Sequence, residues 1–220
     1  MLRLGIIGTG SISRDALTPA IGEVDGATLW SVLSRDKANA ARFAQEHDAA
    51  SPTPAFDDLK HFLSDPDLDA VVIATPDKLH AEQTIAAAAA GKHVLVEKPM
   101  ATTVNDCIEM VKACKASGVK LGVGFQLRYH PGHVEASRLV REGGLGVVAL
   151  AQVLLGSGVR GQLKGDPRTG LRGWWESPEM VGNSRSMIGT GVHCVDDLEF
   201  ILGQTVVEVA AITDGQTAET

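Results

Sequence analysis

The sequence has no excess of basic residues and no long apolar run. Its 20 Lys and Arg residues are outnumbered by 27 Asp and Glu residues, which gives a formal net charge of −7. Because no basic cluster offsets that charge, a nucleic-acid partner is not expected. No apolar segment approaches the ~20 residues that a helix needs to cross a bilayer. The first residues lead into a predicted core strand rather than a cleavable signal, so no membrane partner is expected either.

Cysteine is scarce, and its spacing excludes two kinds of site. Cys107, Cys114 and Cys194 are odd in number, and no pair has the spacing of metal ligands. Cys107 and Cys114 are seven positions apart in a predicted helix, roughly 10 Å at 1.5 Å per residue, which is too far for a disulfide. We therefore expect no metal, and a reduced, cytoplasmic protein.

Apolar segments typical of buried parallel strands alternate with helical segments as far as about residue 124. The predicted strands are 4–7, 27–33, 70–74, 94–96 and 120–124. Residues 51–55 form a stretch interrupted by prolines, and residues 120–124 are counted as the sixth strand. A helix capped by Thr103 is predicted to bury an apolar stripe, which consists of Val104, Cys107, Ile108, Val111 and Cys114. The alternation predicts a doubly wound parallel sheet.

A glycine-rich turn follows the first predicted strand without a spacer. Residues 8–13 read Gly-Thr-Gly-Ser-Ile-Ser, a Gly-x-Gly-x-x-Ser pattern with serine at the usual third glycine or alanine. The first glycine permits a tight turn, and the second lets backbone amides approach a pyrophosphate at a helix amino end. The position between a strand and a helix favours dinucleotide binding over a glycine turn without a ligand.

The end of the second predicted strand bears on the choice between NADP and NAD. A fold specific for NAD generally has Asp or Glu there to bind the ribose 2′-hydroxyl. This chain has Ser34 followed by Arg35, which removes the repelling carboxylate and supplies donors for a 2′-phosphate. Asp36 leaves NAD open as the alternative, although it could instead cap the next helix. We expect NADP.

Charged residues follow the predicted strand at 94–96. Residues 94–100 read Val-Leu-Val-Glu-Lys-Pro-Met, and ligands of open α/β sheets bind beyond the carboxyl ends of the strands. Lys98 therefore lies where a catalytic cation would be placed, the alternative being an ordinary surface turn. Thr75 and Pro76 follow the strand at 70–74 and would line the same crevice. His80, one turn into the next helix, is interpreted as a structural or cofactor-packing residue.

The remainder of the chain departs from this alternation. A helix is predicted at 132–142, a strand at 147–155, a polar glycine-rich loop at 156–181, a helix at 186–203 and the start of a strand at 206–212. The loop carries three arginines and a tryptophan pair that could form a stacking wall for a sugar or seal the loop onto the core. His193 and Asp197 are four positions apart, so the carboxylate could orient the imidazole or only form surface ion pairs.

These motifs together resemble the glucose–fructose oxidoreductase/inositol dehydrogenase (Gfo/Idh/MocA) family. The resemblance covers the whole chain in the family's order. It is carried by the motifs Gly8-Thr9-Gly10, Ala74-Thr75-Pro76 with His80, Glu97-Lys98-Pro99, residues 124–129, residues 174–178, and Gly191-Val192-His193 with Asp196. It implies a Rossmann domain at 1–124, then an α+β substrate and oligomerisation domain with a mostly antiparallel sheet at 125–220.

The resemblance also implies an NAD(P)-dependent oxidoreductase that acts on CH–OH groups of a sugar, inositol or related polyol and assembles as a homo-oligomer through the second sheet. An NADP-binding regulator or inactive relative is the alternative. Lys98 and His193 would be catalytic. The implied cofactor contacts are Gly8, Thr9, Gly10, Ser11, Ile12, Ser34, Arg35, Thr75, Pro76, His80, Glu97, Lys98 and Arg128. The implied substrate contacts are Lys98, Arg128, Arg172, Trp174, Trp175 and His193.

Three positions depart from the family pattern. Gly189 stands where the family often has an aspartate four residues before the histidine, Trp175 where it commonly has arginine, and residues 183–185 replace a glycine run. Family members also usually continue well beyond this length, so the second domain is expected to be incomplete. Gly189 is the departure that bears most on the acid/base arrangement.

Overall fold

A six-stranded parallel sheet organises the protein, which we describe from a computed structural model covering residues 1–154, 177, 180 and 187–211. The strand order is β3-β2-β1-β4-β5-β6. The strands are β1 (Leu2–Ile7), β2 (Ala27–Leu33), β3 (Ala55–Phe56), β4 (Ala70–Ile73), β5 (His93–Val96) and β6 (Leu121–Val123). Every pair is parallel, which confirms the predicted Rossmann-like α/β fold.

Helices connect the strands and continue beyond them. They are α1 (Thr18–Glu23), α2 (Lys37–Glu46), α3 (Leu59–Leu63), α4 (His80–Ala89), α5 (Val104–Ala116), α6 (Pro131–Arg141) and α7 (Val192–Leu202). Two π-helical turns (Ser13–Leu17 and Met187–Gly191) precede α1 and α7, and two 3₁₀ turns are Asp77–Leu79 and Gln126–Tyr129. Within the described ranges, no helix is both long and apolar enough to span a bilayer.

The core lies on both faces of the sheet. All four residues of β4 are buried, as expected for a central strand covered by helices on either side. One core cluster includes Phe62, Val71 and Met110, and the other includes Ile6, Val32 and Phe43. Burial on both faces explains why the strand sequences are continuous apolar runs rather than alternating ones.

The strand order reverses at β1, which lies between β2 and β4. Such a switch point opens a crevice beyond the carboxyl ends of the strands. The first residue after each strand stays in register with its neighbour: Gly8 N donates to Leu33 O at 2.9 Å, Ala74 N to Ile7 O at 2.9 Å and Glu97 N to Ile73 O at 2.9 Å. The loops that follow β1, β2, β4 and β5 are therefore brought to one edge of the sheet.

The stretch interrupted by prolines contains the short strand β3, which pairs Ala55 with Val32, so residues 121–123 form the sixth strand as counted from the sequence. The apolar stripe of α5 was wrong in part. Cys114 is buried as predicted, but Met110, which the stripe left out, is also buried, whereas Val104 is 77% and Ile108 45% exposed. The helix presents its Met110 face to the core, and apolar spacing alone did not identify that face.

The described part of the second region consists of α6 and α7 packed against each other. Ser137 Oγ donates to Phe200 O at 3.0 Å across this contact, and Gly203 ends α7 in a left-handed conformation with φ 63°. Residues 147–154 and 204–211 contain no strand, so the strands predicted there are wrong over the described residues. All of their valines except Val148 are exposed, and a strand needs a hydrogen-bonding neighbour that these residues lack within the described ranges.

Candidate active site

The loop after β1 combines one sterically required glycine with one open position. Gly8 has φ +103°, and a Cβ there would lie 2.6 Å from Ala74 O. A Cβ on Gly10 would meet no atom of the described residues within 4 Å, so these residues leave open space above Gly10. Ser13 Oγ donates to Gly8 O at 2.7 Å and closes the loop. The helix starts immediately afterwards, so its first backbone amides are directed where an anion would bind.

The end of β2 lies beside this loop. The Thr9 hydroxyl donates to Ser34 Oγ at 3.4 Å, while the following Arg35 is exposed. Asp36 is the N-cap of α2, with Oδ1 accepting from Ala38 N at 2.8 Å and Asn39 N at 3.2 Å. Of the two roles considered for Asp36, the structure therefore shows the helix cap. Ser34 and Arg35 are the polar groups that remain at this strand end.

His80 connects the loop after β4 to the loop after β5. It is fully buried, with Nδ1 2.9 Å from Pro99 O and Nε2 2.9 Å from Thr75 O. Burial lowers the pKa of His80, and the facing backbone groups oppose that effect. Thr75 Oγ1 also donates to Gln83 Oε1 at 2.6 Å. The predicted structural role of His80 fits this position, which is separated from solvent.

Acidic groups flank Lys98 in the same two loops. Burial raises the pKa of Asp77 to about 7, and the charge of Lys98 opposes the rise. Burial likewise raises the pKa of Glu97, again opposed by Lys98. Sequence reasoning missed Asp77, although an acid directly after Pro76 at a buried strand end was a usable signal.

Lys98 meets the start of α7 across the crevice. Its Nζ donates to Gly189 O at 3.0 Å, so residues far apart in sequence are brought together. Burial lowers the pKa of His193, and Lys98 lowers it further, whereas Asp197 and Asp196 oppose the shift. His193 Nδ1 is buried and has no hydrogen-bond partner among the described residues, and its ring stands edge-on to Phe125 with centroids 6.1 Å apart.

The two aspartates of α7 contact residues of neighbouring segments. They therefore hold the helix in place and do not orient the imidazole of His193. Asp196 accepts from Arg128 Nε at 2.9 Å and Nη2 at 2.6 Å. Asp197 Oδ1 lies 3.2 Å from His133 Nδ1 on α6. Of the two roles considered for Asp197, the structure does not show the orienting of His193, because Asp197 faces His133 on α6. Arg128, expected to contact cofactor or substrate, has two of its donors engaged by Asp196.

Several predicted contacts lie outside the described residues. They are Arg172, Trp174 and Trp175, together with the departures at 183–185. Among the residues that are described, no group of three His, Cys, Asp or Glu side chains is arranged to hold a metal ion.

Residues 2–125 match the Gfo/Idh/MocA family model, described as an oxidoreductase family with an NAD-binding Rossmann fold. The chain belongs to this family. The match covers the sheet and every strand end that forms the crevice. It therefore confirms the resemblance first drawn from the glycine loop and the Glu97-Lys98-Pro99 motif.

Relatives of this Gfo/Idh/MocA chain include named sugar and inositol enzymes. It is 35% identical over 214 residues to a 1,5-anhydro-D-fructose reductase of Ensifer adhaerens, covering 97% of the chain and 60% of the relative. It is 37% identical over 138 residues to the NADP(+) scyllo-inositol 2-dehydrogenase of Bacillus subtilis, covering 63% of the chain and 41% of the relative. The chain thus spans at most about 60% of the length of these curated relatives.

A solved structure of similar fold is the aldose-aldose oxidoreductase of Caulobacter crescentus complexed with glycerol. It superposes with a TM-score of 0.76 at 27% identity, over 92% of this chain and 58% of that one.

The crevice of this Gfo/Idh/MocA chain fits a dinucleotide. Gly8 allows the turn, the open space above Gly10 admits phosphate oxygens, and the adjoining helix start supplies backbone donors. Ser34 and Arg35 would hold the adenosine ribose and its substituent. Thr75, Pro76 and Lys98 would lie along the nicotinamide half.

Proposed function

We propose that the protein is an NADP-linked oxidoreductase that transfers a hydride between nicotinamide and a carbinol or carbonyl carbon of a sugar, inositol or related polyol. The observation that carries the proposal is the meeting of Lys98 with the start of α7, where Nζ binds Gly189 O four residues before His193. One positive donor and one imidazole then lie at the edge of the sheet where a nicotinamide ring would bind.

The proposed preference for NADP rests on the end of β2. Ser34 and the exposed Arg35 offer a hydroxyl and a guanidinium, and Asp36 is engaged in capping α2. A guanidinium binds phosphate with paired hydrogen bonds. One relative carries NADP(+) in its name, which supports the same choice over NAD.

The cofactor would supply the redox chemistry, since its nicotinamide accepts or gives the hydride. The chain would orient the substrate and manage the proton and the developing charge. Lys98 would stabilise the oxyanion at the reacting carbon by donating from Nζ. His193 would take the hydroxyl proton during oxidation and return it during reduction. Because the pKa of His193 is lowered, the imidazole is neutral at neutral pH and can accept a proton.

The substrate class is proposed from the relatives and from polar groups around the crevice. The named relatives act on an anhydrofructose and an inositol. Arg128, Arg172, Trp174 and Trp175 are the proposed substrate contacts. Arg128 is held by Asp196, so it would offer its remaining N–H donors from a fixed position.

The experiment follows nicotinamide absorbance while sugars, inositols and keto-sugars are screened with NADP⁺ and NADPH. We expect turnover with at least one compound of these classes and a turnover lowered by about 10²–10⁴-fold after Lys98→Met, which keeps most of the length of the side chain but removes its charge. Binding of NADP⁺ without turnover across the whole panel would favour an NADP-binding regulator. Gly189 is the observation that favours the regulator. It stands where the family often has an aspartate, and it offers Lys98 a neutral backbone carbonyl instead of a carboxylate.

The rest of the domain plan is part of the proposal. We propose that residues 125–220 belong to a substrate and oligomerisation domain with a mostly antiparallel sheet, following the Rossmann domain at 1–124. The packing of α6 on α7 supports a second unit after the parallel sheet. Assembly into a homo-oligomer through that sheet and a cytoplasmic location are proposed with it. The three free cysteines support a reducing compartment.

A further inference from the structure

Asp77 is a deeply buried acid at the candidate active site. It directly follows Pro76 in the loop after β4, and its side chain belongs to a residue only 4% exposed. Its Oδ2 atom is shielded from solvent and has no hydrogen-bond partner among the described residues. Buried carboxyl oxygens are normally satisfied, so this one is available to a group that the described residues do not provide.

The charged and titratable groups around Asp77 come from two loops. Lys98 and Glu97 face it from the loop after β5 and act on it with opposite signs. Its own turn carries the exposed Lys78 and the buried His80. Burial raises the pKa of Asp77 to about 7, so the carboxyl is divided between its neutral and ionised forms at neutral pH. A nearby cation would shift that balance towards the ionised form.

Oxidised and reduced nicotinamide differ in charge, and Asp77 is placed to respond to the difference. We propose that Asp77 makes the crevice favour the oxidised cofactor, by losing its proton to solvent when the cationic nicotinamide ring binds. The inference rests on the proposed function, because it needs the nicotinamide near Lys98. Neutral dihydronicotinamide brings no positive charge and would leave Asp77 protonated.

The sign of the pH effect follows from this exchange. In the free protein Asp77 is protonated below about pH 7 and ionised above it. Binding of the cation stabilises the ionised form, so NADP⁺ binding releases a proton at and below about pH 7 and releases less as the pH rises. By linkage, NADP⁺ affinity rises as the pH is raised towards that value. At pH 7 the release is about half a proton, because about half of Asp77 carries one beforehand.

The test is titration calorimetry of the chain with NADP⁺ and with NADPH, in two buffers of different ionisation enthalpy. The difference between buffers gives the number of protons released. Any proton lost by a 2′-phosphate is common to both nucleotides. The excess number of protons released with NADP⁺ therefore reports only the effect of the positive charge on the nicotinamide ring. We expect about half a proton in excess at pH 7.

Asp77→Asn keeps the size of the side chain and removes its charge. We expect this variant to abolish the excess proton release with NADP⁺. We also expect the affinity for NADP⁺ to fall relative to that for NADPH by roughly tenfold at about pH 8, which corresponds to one unit of pKa change. Asp25→Asn is the matched control, because Asp25 is exposed, and it should change neither quantity.

Equal proton release with the two nucleotides would overturn the inference, and that result needs only the unaltered chain. Retention of the excess by Asp77→Asn would overturn it as well, since the proton would then come from another group. If neither nucleotide binds, the proposed function fails too. Binding of both with equal release removes only the role of Asp77.

Discussion

The two sides of the crevice are built from different kinds of residue. Beside β1 and β2 the strand ends carry glycines and hydroxyls, and the single basic group considered there, Arg35, is exposed. Beside β4 and β5 the strand ends carry Asp77, His80 and Lys98, of which the first two are buried. One side offers shape and backbone donors, whereas the other holds groups whose charge can change.

This difference separates binding from chemistry. A fixed turn closed by Ser13 needs no proton exchange to hold a phosphate. Burial on the other side moves the pKa of Asp77 upwards and that of His193 downwards, and groups with such shifts cluster at sites of proton transfer. Substitutions on the first side should therefore change cofactor affinity, whereas those on the second side should change turnover or the response of cofactor binding to charge and pH.

The largest expected effect is on the charged side. Lys98→Ala and His193→Ala should each lower turnover by about 10²–10⁴-fold, the usual scale of general acid–base assistance. Residues that act as a unit are not additive, so the double variant should be little worse than the poorer single one. Lys98→Ala should also weaken cofactor binding, whereas His193→Ala should barely affect cofactor binding. Turnover and the NADPH dissociation constant decide both points.

The pH profile adds a second readout to the same variants. The neutral imidazole of His193 is the base for oxidation, and its pKa is lowered from 6.5. Oxidation should therefore persist to a pH below 6.5 and decline as His193 becomes protonated. His61→Ala, at an exposed position, is the control. Near-normal turnover of His193→Ala would show that the proton goes elsewhere.

Many residues of the crevice could be predicted because the residues that follow each strand were recognisable from the local sequence alone. The glycine loop, Ser34 with Arg35, and Lys98 each follow a short apolar run that forms a strand, although β5 is buried on one face only, with Leu95 40% exposed. Parallel strands bring such ends to one edge regardless of their distance in sequence. The sheet and this half of the site therefore follow from local pattern and one topological rule.

The remaining contacts depend on how separate segments pack, which spacing does not encode. His193 and Asp197 have the spacing of a pair, yet Asp197 faces His133 because α7 packs on α6. The pKa of Asp77 is raised mainly by burial and further by the charge of Glu97, and both depend on how the two loops pack. Residues 147–154 have the composition of a strand but no partner among the described residues, so composition alone was misleading there.

A smaller effect is expected on the binding side, at Arg35. Arg35→Ala should lower the affinity for NADP by roughly ten- to a hundredfold, the range for a charge-assisted hydrogen bond. The affinity for NAD should be almost unchanged. Asp36→Asn is the matched control, because asparagine keeps the capping oxygen of α2. Fluorescence titration with both cofactors measures the ratio. NAD binding as tightly as NADP to the unaltered chain would contradict the assignment.

The last prediction separates two glycines of the same loop. Gly8→Ala must hold φ near +103° and place a methyl group 2.6 Å from Ala74 O, so the free energy of unfolding should fall by about 1–3 kcal/mol. Gly10→Ala meets no atom within 4 Å in the part of the chain that the structure describes, and its stability should stay within about 0.5 kcal/mol of the original.

Cofactor affinity should then show what fills the space above Gly10. If phosphates approach the backbone there, the added methyl group of Gly10→Ala obstructs them and NADP binding weakens while the fold is intact. Urea unfolding without cofactor and titration with NADP measure the two properties on the same samples. Unchanged NADP affinity in Gly10→Ala would mean that the pyrophosphate does not bind over this loop, and the proposed orientation of the dinucleotide in the crevice would be wrong.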